Sequence, residues 1–276
     1  MHKRDFQQVD VFSEVPLKGN PVAVVLGADG MSTEAMLDFT RWMNLSESTF
    51  LLEPTDPAAD YRVRIFTPAE ELPFAGHPTL GSCHAWLSAG GQPKAEHVVQ
   101  ECSAGLIRVR KGEGTLAFAA PPLVRDDPVS DADLTKIIAG LGISSDDVLR
   151  SQWIDNGPGW VGVMLGSREA LLAITPNYDA MGELEIGAVA PGLPGDETRF
   201  EIRAFMPSLR AEDPVTGSLN ASVAQWLIGA DVAPPEYIAA QGTAINRAGR
   251  IHISSEGDTI WIGGKTTTWI EGQAML

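Results

Sequence analysis

The chain is dominated by short apolar runs that end at glycine or proline, a pattern that predicts strands joined by turns. Valine, isoleucine and phenylalanine are frequent in these runs. The runs recur along the whole chain: QQVDVF, NPVAVVLG, STFLLEP, YRVRIFTP, HVVQECSAGLIRVRKGEGTLAFAAPP, WVGVMLGS, TRFEIRAFMP, IHISSEG and TIWIGGKTTTWIEG. The chain is therefore predicted to be rich in β-sheet.

Four other segments repeat their apolar residues with the period of a helix. The first, at 32–47, begins with Ser-Thr, either of which can serve as its N-cap, and another is predicted at about 131–140. The remaining two, at 79–90 and 218–230, carry few charges on any face. Helices of that kind are usually enclosed in the core.

The two halves of the chain repeat the same order of motifs. RIFTP at 64–68 is matched by RAFMP at 203–207, and PFAGH at 73–77 is matched by PVTGS at 214–218. The two spacings differ by two residues, and in each half the second motif leads into one of the enclosed helices. We interpret this as an internal duplication that produces two pseudo-equivalent domains.

The stretch Pro121–Pro128 is the best candidate for a link between the halves, because it contains three prolines and two aspartates. We therefore predict domains at 1–124 and 125–276, with the last strand a candidate to cross back to the first domain. The predicted fold class is α/β (α+β), with two pseudo-symmetric domains.

The 276 residues carry a formal net charge of −16, and the pI is about 4.6. Such a surface repels the phosphate backbone of nucleic acids, which argues against a nucleic-acid partner. No apolar run is long enough to span a membrane, and the first residues lack the apolar region of a secretory signal. We expect a cytoplasmic protein with no membrane partner.

Motifs for metals and nucleotides are not found. The two cysteines, Cys83 and Cys102, belong to no zinc-type spacing and predict neither a metal site nor a disulfide framework. The stretches GADG and GGQPKAE match neither the dinucleotide-binding nor the P-loop pattern. The expected metal content is none.

The start of each enclosed helix is a candidate ligand site. Gly76 and Gly217 stand at these starts and would let a ligand approach the backbone closely. The first N–H groups of a helix have no partner within it and can bind a carboxylate or phosphate. For a single copy, the alternative is a Gly-His-Pro turn with His77 as the N-cap. Two matching copies favour a ligand held between the domains.

Three ionisable side chains near these motifs are candidates for proton transfer. His77 ordinarily titrates near pH 6.5, Asp213 precedes the second motif, and Glu47 stands just before an apolar strand. Local sequence also fits plainer roles, a turn for Asp213 and a turn carboxylate for Glu47. A carboxylate and a histidine beside an anion site could move a proton on a carbon next to a carboxylate.

The chain resembles the PhzF-like isomerases of phenazine biosynthesis in four stretches: DVFSEVPLKGNPVAVVL, NLSESTFLL, RIFTPAEELPFAGHPTLGSCHAWL and EDPVTGSLNAS. The resemblance runs from about residue 8 to about residue 262 and is weakest at 123–200. It implies the diaminopimelate-epimerase-like fold, in which each domain is a mixed sheet curled around a central helix. It also implies a homodimer, no cofactor, and an active site in the cleft between the domains.

The resemblance further implies roles for single residues. Glu47 falls at the family's proton-shuttling glutamate, and His77 and Asp213 fall at its histidine and aspartate near the substrate. In the best-known member, the reaction moves a proton between ring carbons of dihydro-hydroxyanthranilate.

Four more residues fall at substrate-binding positions of the family. Gly76, Gly217 and Ser218 match the loops that hold the substrate carboxylate. Asn20, in the GNP motif, lies at the edge of the cleft in the family picture, where a structural role fits at least as well.

Ala75 and Thr216 stand where related racemases and epimerases carry two thiols. A single carboxylate that takes and returns a proton therefore fits better. We hypothesise a cofactor-independent isomerase that uses Glu47 to move a proton on a small carboxylate-bearing substrate. Two alternatives stay open: an amino-acid racemase or epimerase with His77 or Asp213 as second base, and a non-catalytic binding or scaffold protein.

Overall fold

The computed structural model describes residues 2–276, which form six α-helices, two short 3-10 turns and sixteen strands. The helices are α1 (Thr33–Met43), α2 (Gly76–Ser88), α3 (Asp131–Leu141), α4 (Arg168–Ala173), α5 (Tyr178–Met181) and α6 (Gly217–Gly229). The strands are β1 (Lys3–Val11), β2 (Asn20–Val25), β3 (Glu47–Leu52), β4 (Tyr61–Phe66), β5 (Glu71–Leu72), β6 (Val98–Cys102), β7 (Gly105–Lys111), β8 (Thr115–Ala119), β9 (Val148–Trp153), β10 (Trp160–Leu165), β11 (Glu185–Pro191), β12 (Phe200–Met206), β13 (Ala211–Asp213), β14 (Glu236–Gln241), β15 (Gly249–Glu256) and β16 (Thr259–Met275).

Two compact units make up the structure. The first consists of the residues up to Ala119 together with Gly263–Leu276, and the second is Ala120–Ile262. Strand β16 therefore contributes residues to both units.

In the first unit the strands follow the order β1-β2-β3-β4-β6-β7-β8, and β16 pairs with both β1 and β8. The sheet is mixed, because β2–β3 and β4–β6 are parallel pairs and other neighbours are antiparallel. Helix α2 packs against β1, β2, β3, β4, β6 and β8, and nine of its thirteen residues are buried. The helix approaches β2 so closely that a Cβ on Gly81 would meet Val22 Cγ1 at 2.3 Å.

In the second unit the order is β16-β15-β14-β12-β11-β10-β9, again with parallel and antiparallel pairs. Helix α6 packs against β10 and β15, and nine of its thirteen residues are buried. Helices α3, α4 and α5 cover a separate core. Its members include Ile137, Leu171, Met181, Val163, Ile186 and Phe205.

The predicted duplication appears in both units as the same order of elements, β4-β5-α2 and β12-β13-α6. In the first unit Arg64 binds Glu71 through its Nε and Nη2 atoms. In the second, Arg203 binds Glu212 through the same two atoms. Matched ion pairs of this kind support a common origin of the two halves.

All four predicted helices are present as α1, α2, α3 and α6, and both α2 and α6 are enclosed as predicted. Helix α1 ends at Met43, before the end of the predicted segment 32–47, because Asn44 adopts a left-handed conformation with φ 54°. Glu47 is consequently the first residue of β3. Helices α4 and α5 were not predicted, since segments this short show no clear period.

No helix formed by residues 2–276 combines the length and the apolar character that a membrane crossing requires.

Candidate active site

Glu47 and His77 lie together in the first unit. Glu47 begins β3, and His77 is the second residue of α2. The Oε2 atom of Glu47 lies 3.3 Å from the Nε2 atom of His77, and their side chains are 16% and 5% exposed. Since little water surrounds them, charges and dipoles interact more strongly here than at the surface.

Burial lowers the pKa of His77 from 6.5 to about 3, because the imidazolium form would lose its hydration. The neighbouring Glu47 carboxylate favours the charged imidazolium, but the loss of hydration is the larger effect. His77 is therefore neutral at pH 7, and the expectation that it titrates near that pH is wrong.

The Nε2 atom of His77 makes no hydrogen bond to any of residues 2–276, because its contact with Glu47 lacks the geometry of one. Leaving a buried polar nitrogen in this state costs about 1–3 kcal/mol. Buried polar groups usually have partners, and an exception calls for an explanation, such as a bound water or ligand. A ligand atom beside Glu47 would supply the missing partner.

Asn20 is the third side chain of this cluster. It is the first residue of β2 and fully buried, and its Nδ2 lies 3.3 Å from the Nδ1 of His77. The fold thus brings together Asn20, Glu47 and His77 from three separate elements.

The starts of α2 and α6 lack side-chain caps. Neither N-cap residue, Ala75 for α2 or Thr216 for α6, accepts a backbone hydrogen bond with its side chain. The other four α-helices all have a serine or asparagine cap. The alternative that His77 caps α2 is wrong, since the N-cap is Ala75. Uncapped N–H groups remain available to an anion.

Gly76 and Gly217 are the first residues of α2 and α6, as the motif predicted, and both are buried. Because glycine has no Cβ atom, no side chain shields the backbone N–H groups at these two positions.

Asp213 ends β13 in the second unit, four residues before the start of α6. The hydroxyl of Thr216 donates to its Oδ2 atom. The same hydroxyl accepts a hydrogen bond of 2.9 Å from Gln241 Nε2, which also donates to the Asp213 carbonyl at 3.1 Å. Asp213 is therefore held in one orientation.

Ser218 is the second residue of α6, at the position that matches His77 in the repeat. Its Oγ accepts a 3.1 Å hydrogen bond from Trp160 Nε1, and its carbonyl accepts one of 3.0 Å from Asn156. Trp160, Asn156 and Gln241 were not predicted as site residues. They come from distant parts of the chain and carry no motif.

Among residues 2–276 no group of three or more histidine, cysteine, aspartate and glutamate side chains is arranged to hold a metal ion.

Comparison with known proteins places the chain in a family. The PhzC-PhzF family, described as phenazine biosynthesis-like protein, matches residues 9–276. The Antisense-enhancing sequence 1 protein of Schizosaccharomyces pombe is 34% identical over 100% of both chains. The trans-2,3-dihydro-3-hydroxyanthranilate isomerase of Pseudomonas aeruginosa is 32% identical, also over 100% of both chains.

The fold is shared with solved structures. A crystal structure of a PhzF-family phenazine biosynthesis protein from Enterococcus faecalis has a TM-score of 0.83 and 25% identity, with 100% of both chains covered. The mixed sheets around enclosed helices thus define an epimerase-like α/β protein. The chain belongs to the phenazine biosynthesis-like protein family.

These findings confirm the predicted fold class and the predicted class of protein, an isomerase of the PhzF-like family. The roles of Glu47, His77, Asp213, Asn20, Gly76, Gly217 and Ser218 stay predictions.

Proposed function

We propose that the protein is an isomerase that moves a proton on a small carboxylate-bearing molecule, with Glu47 as the acid and base. The observation that carries this proposal is the buried contact between Glu47 and His77, 3.3 Å apart, beside the uncapped start of α2. A carboxylate and a neutral imidazole at a helix start combine a base, a hydrogen-bonding group and an anion site.

The uncapped helix starts support the choice of a carboxylate. Backbone N–H groups near Gly76 in the first unit and near Gly217 and Ser218 in the second have no side-chain cap to occupy them. A carboxylate accepts such hydrogen bonds and interacts favourably with the helix dipole. That both units hold one substrate stays a prediction from the family resemblance.

In the proposed mechanism Glu47 removes a proton from a carbon that the nearby carboxylate has acidified, and returns it to another carbon. His77 donates a hydrogen bond from a neutral ring, and Asp213 orients a polar substituent of the substrate. No charge is created on His77 at any step, which agrees with the cost of burying an imidazolium there.

The substrate class follows from the named relative. Its trans-2,3-dihydro-3-hydroxyanthranilate is a ring that bears a carboxylate, an amino group and a hydroxyl group. We propose the same class for this chain, a small cyclic amino or hydroxy carboxylate. Cofactor independence, a homodimer and a cytoplasmic location remain predictions of the resemblance.

The test is proton exchange in D₂O, followed by NMR, with trans-2,3-dihydro-3-hydroxyanthranilate and a panel of cyclic and α-amino carboxylates. We expect one of them to incorporate deuterium at carbon with the wild type. Glu47→Gln keeps the shape of the side chain and should slow this exchange at least about a hundredfold while binding is retained. Equal exchange by the variant would remove Glu47 from the mechanism.

A racemase or epimerase is the second candidate, because the second unit carries a matching carboxylate. In the first unit, Ser48 pairs with Phe66 of the RIFTP motif, and Glu47 is the residue before Ser48. In the second unit, Ile186 pairs with Phe205 of the RAFMP motif, and Glu185 is the residue before Ile186. The two glutamates therefore occupy equivalent positions in the repeat. Burial raises the pKa of Glu185, and its Oε2 makes no hydrogen bond to residues 2–276.

The lowered pKa of His77 makes it a weak base, so it is poorly suited to be the second base of a racemase. Deuterium that enters with inversion at one carbon would favour the racemase, whereas deuterium at a different carbon from the one that lost its proton would favour the isomerase. A non-catalytic binding protein would exchange no member of the panel.

A further inference from the structure

Asn20 reaches His77 because the chain at the start of β2 is packed tightly against β1. The residue before it, Gly19, donates its N–H to Asp10 Oδ2 at 3.1 Å. A Cβ on Gly19 would lie only 2.2 Å from the carbonyl oxygen of Val11, so no larger residue fits. Asn20 itself is paired with Val11 in the sheet and is fully buried.

The amide nitrogen of Asn20 can only donate a hydrogen bond. This nitrogen is placed 3.3 Å from His77 Nδ1, and in this orientation of the amide the ring nitrogen presents a lone pair. A neutral imidazole carries one proton, which is then on Nε2. The Nε2 atom is the one that faces Glu47 Oε2 at 3.3 Å.

We propose that Asn20 is a positioning residue that holds His77 in its Nε2–H tautomer, so that a protonated nitrogen and not a lone pair lies beside Glu47. The catalytic part of this inference rests on the proposed function. The tautomer itself does not, and it can be measured on the resting protein.

The opposite tautomer would place the Nε2 lone pair against the Glu47 carboxylate. Two acceptors 3.3 Å apart repel each other, and protonation of the Glu47 carboxyl group would relieve the repulsion. Glu47 would then hold a proton before it meets substrate. With Nε2–H in place, Glu47 remains a carboxylate that is ready to accept one.

Asn20→Asp is the sharpest test, because it keeps the size of the side chain and exchanges the donor for an acceptor. The new carboxylate draws a proton to Nδ1 of His77. The ring must then become either the Nδ1–H tautomer or the doubly protonated imidazolium. A matched control is Asn220→Asp, the same change at a buried asparagine of α6 in the second unit, which leaves Asn20 in place.

The measurement is the ¹⁵N NMR spectrum of the histidine rings at pH 7, in the full chain without ligand. The His77 signals are assigned by their loss in His77→Gln. The wild type and Asn220→Asp should show a bare Nδ1 and a protonated Nε2, and Asn20→Asp should show a protonated Nδ1. A protonated Nδ1 in the wild type overturns the proposal even if Asn20→Asp fails to fold. So does a folded Asn20→Asp protein whose His77 spectrum is unchanged.

The second readout is deuterium exchange into trans-2,3-dihydro-3-hydroxyanthranilate. Asn20→Asp should lower kcat by about 10- to 100-fold, the range found when the partner that fixes a histidine tautomer at a metal site is removed, and change KM less. If the tautomer shifts as expected but kcat does not fall, Asn20 has no positioning role in turnover. If the wild type exchanges no probe while its tautomer is Nε2–H, the proposed function fails and the assignment of the tautomer stands.

Discussion

The imidazole of His77 and the carboxylate of Glu47 are in contact at 3.3 Å, although 30 positions separate them in the chain. Helix α2 brings His77 to this point because the helix is enclosed by the strands of its own unit. The contact places a polar nitrogen and a carboxylate where water has little access. Burial keeps His77 neutral at pH 7, and it leaves the Nε2 atom without a hydrogen-bond partner among residues 2–276, so that a ligand could bind it.

Replacing His77 should weaken binding as well as turnover, because its buried Nε2 lacks a hydrogen-bond partner within residues 2–276. We expect His77→Ala to raise KM and lower kcat about threefold each, so that kcat/KM falls about tenfold, as the loss of a hydrogen bond worth about 1.4 kcal/mol predicts. His77→Gln keeps an N–H donor and should retain more activity. Deuterium exchange kinetics with trans-2,3-dihydro-3-hydroxyanthranilate measure both constants, and unchanged kinetics in His77→Ala would exclude a contact with substrate.

Stability should fall as the pH is lowered below 6.5, because the pKa of His77 is about 3 in the folded protein and near 6.5 in the unfolded chain. Above pH 6.5 neither state binds the proton and the full stability is present. Between pH 6.5 and 3 only the unfolded state binds it, which costs up to about 1.4 kcal/mol per pH unit.

Urea unfolding of the wild type and of His77→Gln at pH 7, 6 and 5 measures this difference. The variant should lose about 2 kcal/mol less than the wild type between pH 7 and 5, since it lacks the titrating group. His252→Gln replaces an exposed histidine and leaves His77 intact, so its slope should follow the wild type. Parallel slopes for wild type and His77→Gln would contradict a lowered pKa.

The sequence identifies the helices of the site because their signals are local. Gly76 and Gly217 lie at helix starts, and the following segments have few charges and two matched motifs. The ionisation of His77 could not be predicted in the same way. It depends on burial against Asn20 and Glu47, which lie 57 and 30 positions away along the chain.

Gln241 illustrates the second limit of sequence reasoning. It accepts hydrogen bonds from Thr216 N and Asn220 Nδ2 and donates to Asp213 and Thr216, so it organises the start of α6. It ends a strand, β14, that has no strong alternation and was not predicted. Because all partners of Gln241 are distant in sequence, neither a hydrophobic period nor a local motif indicates its role.

The Thr216 hydroxyl should matter for the site although its side chain does not cap α6. Thr216→Val removes the donor to Asp213 and the acceptor for Gln241 with little change of shape. We expect a loss of about 1–3 kcal/mol in the free energy of unfolding, together with slower deuterium exchange. Thr216→Ser keeps the hydroxyl and should retain most of both. If Thr216→Val retained as much stability and exchange as Thr216→Ser, the hydroxyl would have no specific role, and a larger loss in Thr216→Ser would assign the effect to the methyl group.

The Arg64–Glu71 and Arg203–Glu212 ion pairs occupy equivalent positions in the two units but differ in how far they are buried. The side chains of Arg203 and Glu212 are 4% and 5% exposed, and those of Arg64 and Glu71 are 24% and 28% exposed. Arg203 Nη1 is also held by the carbonyls of Leu171 and Ile174, at the end of α4. Glu212→Gln should therefore leave a buried guanidinium without its counter-charge, at a cost of about 3–5 kcal/mol.

Glu71→Gln makes the matched change where water still reaches the partner, and it should cost about 0–1 kcal/mol. Urea unfolding at pH 7 gives both values. A difference of at least about 2 kcal/mol between the two variants is expected, because solvent can compensate Arg64 but not Arg203. Equal costs would mean that the carbonyls of Leu171 and Ile174 already compensate the buried Arg203 guanidinium. The charge of Glu212 would then contribute no more to stability than that of the more exposed Glu71.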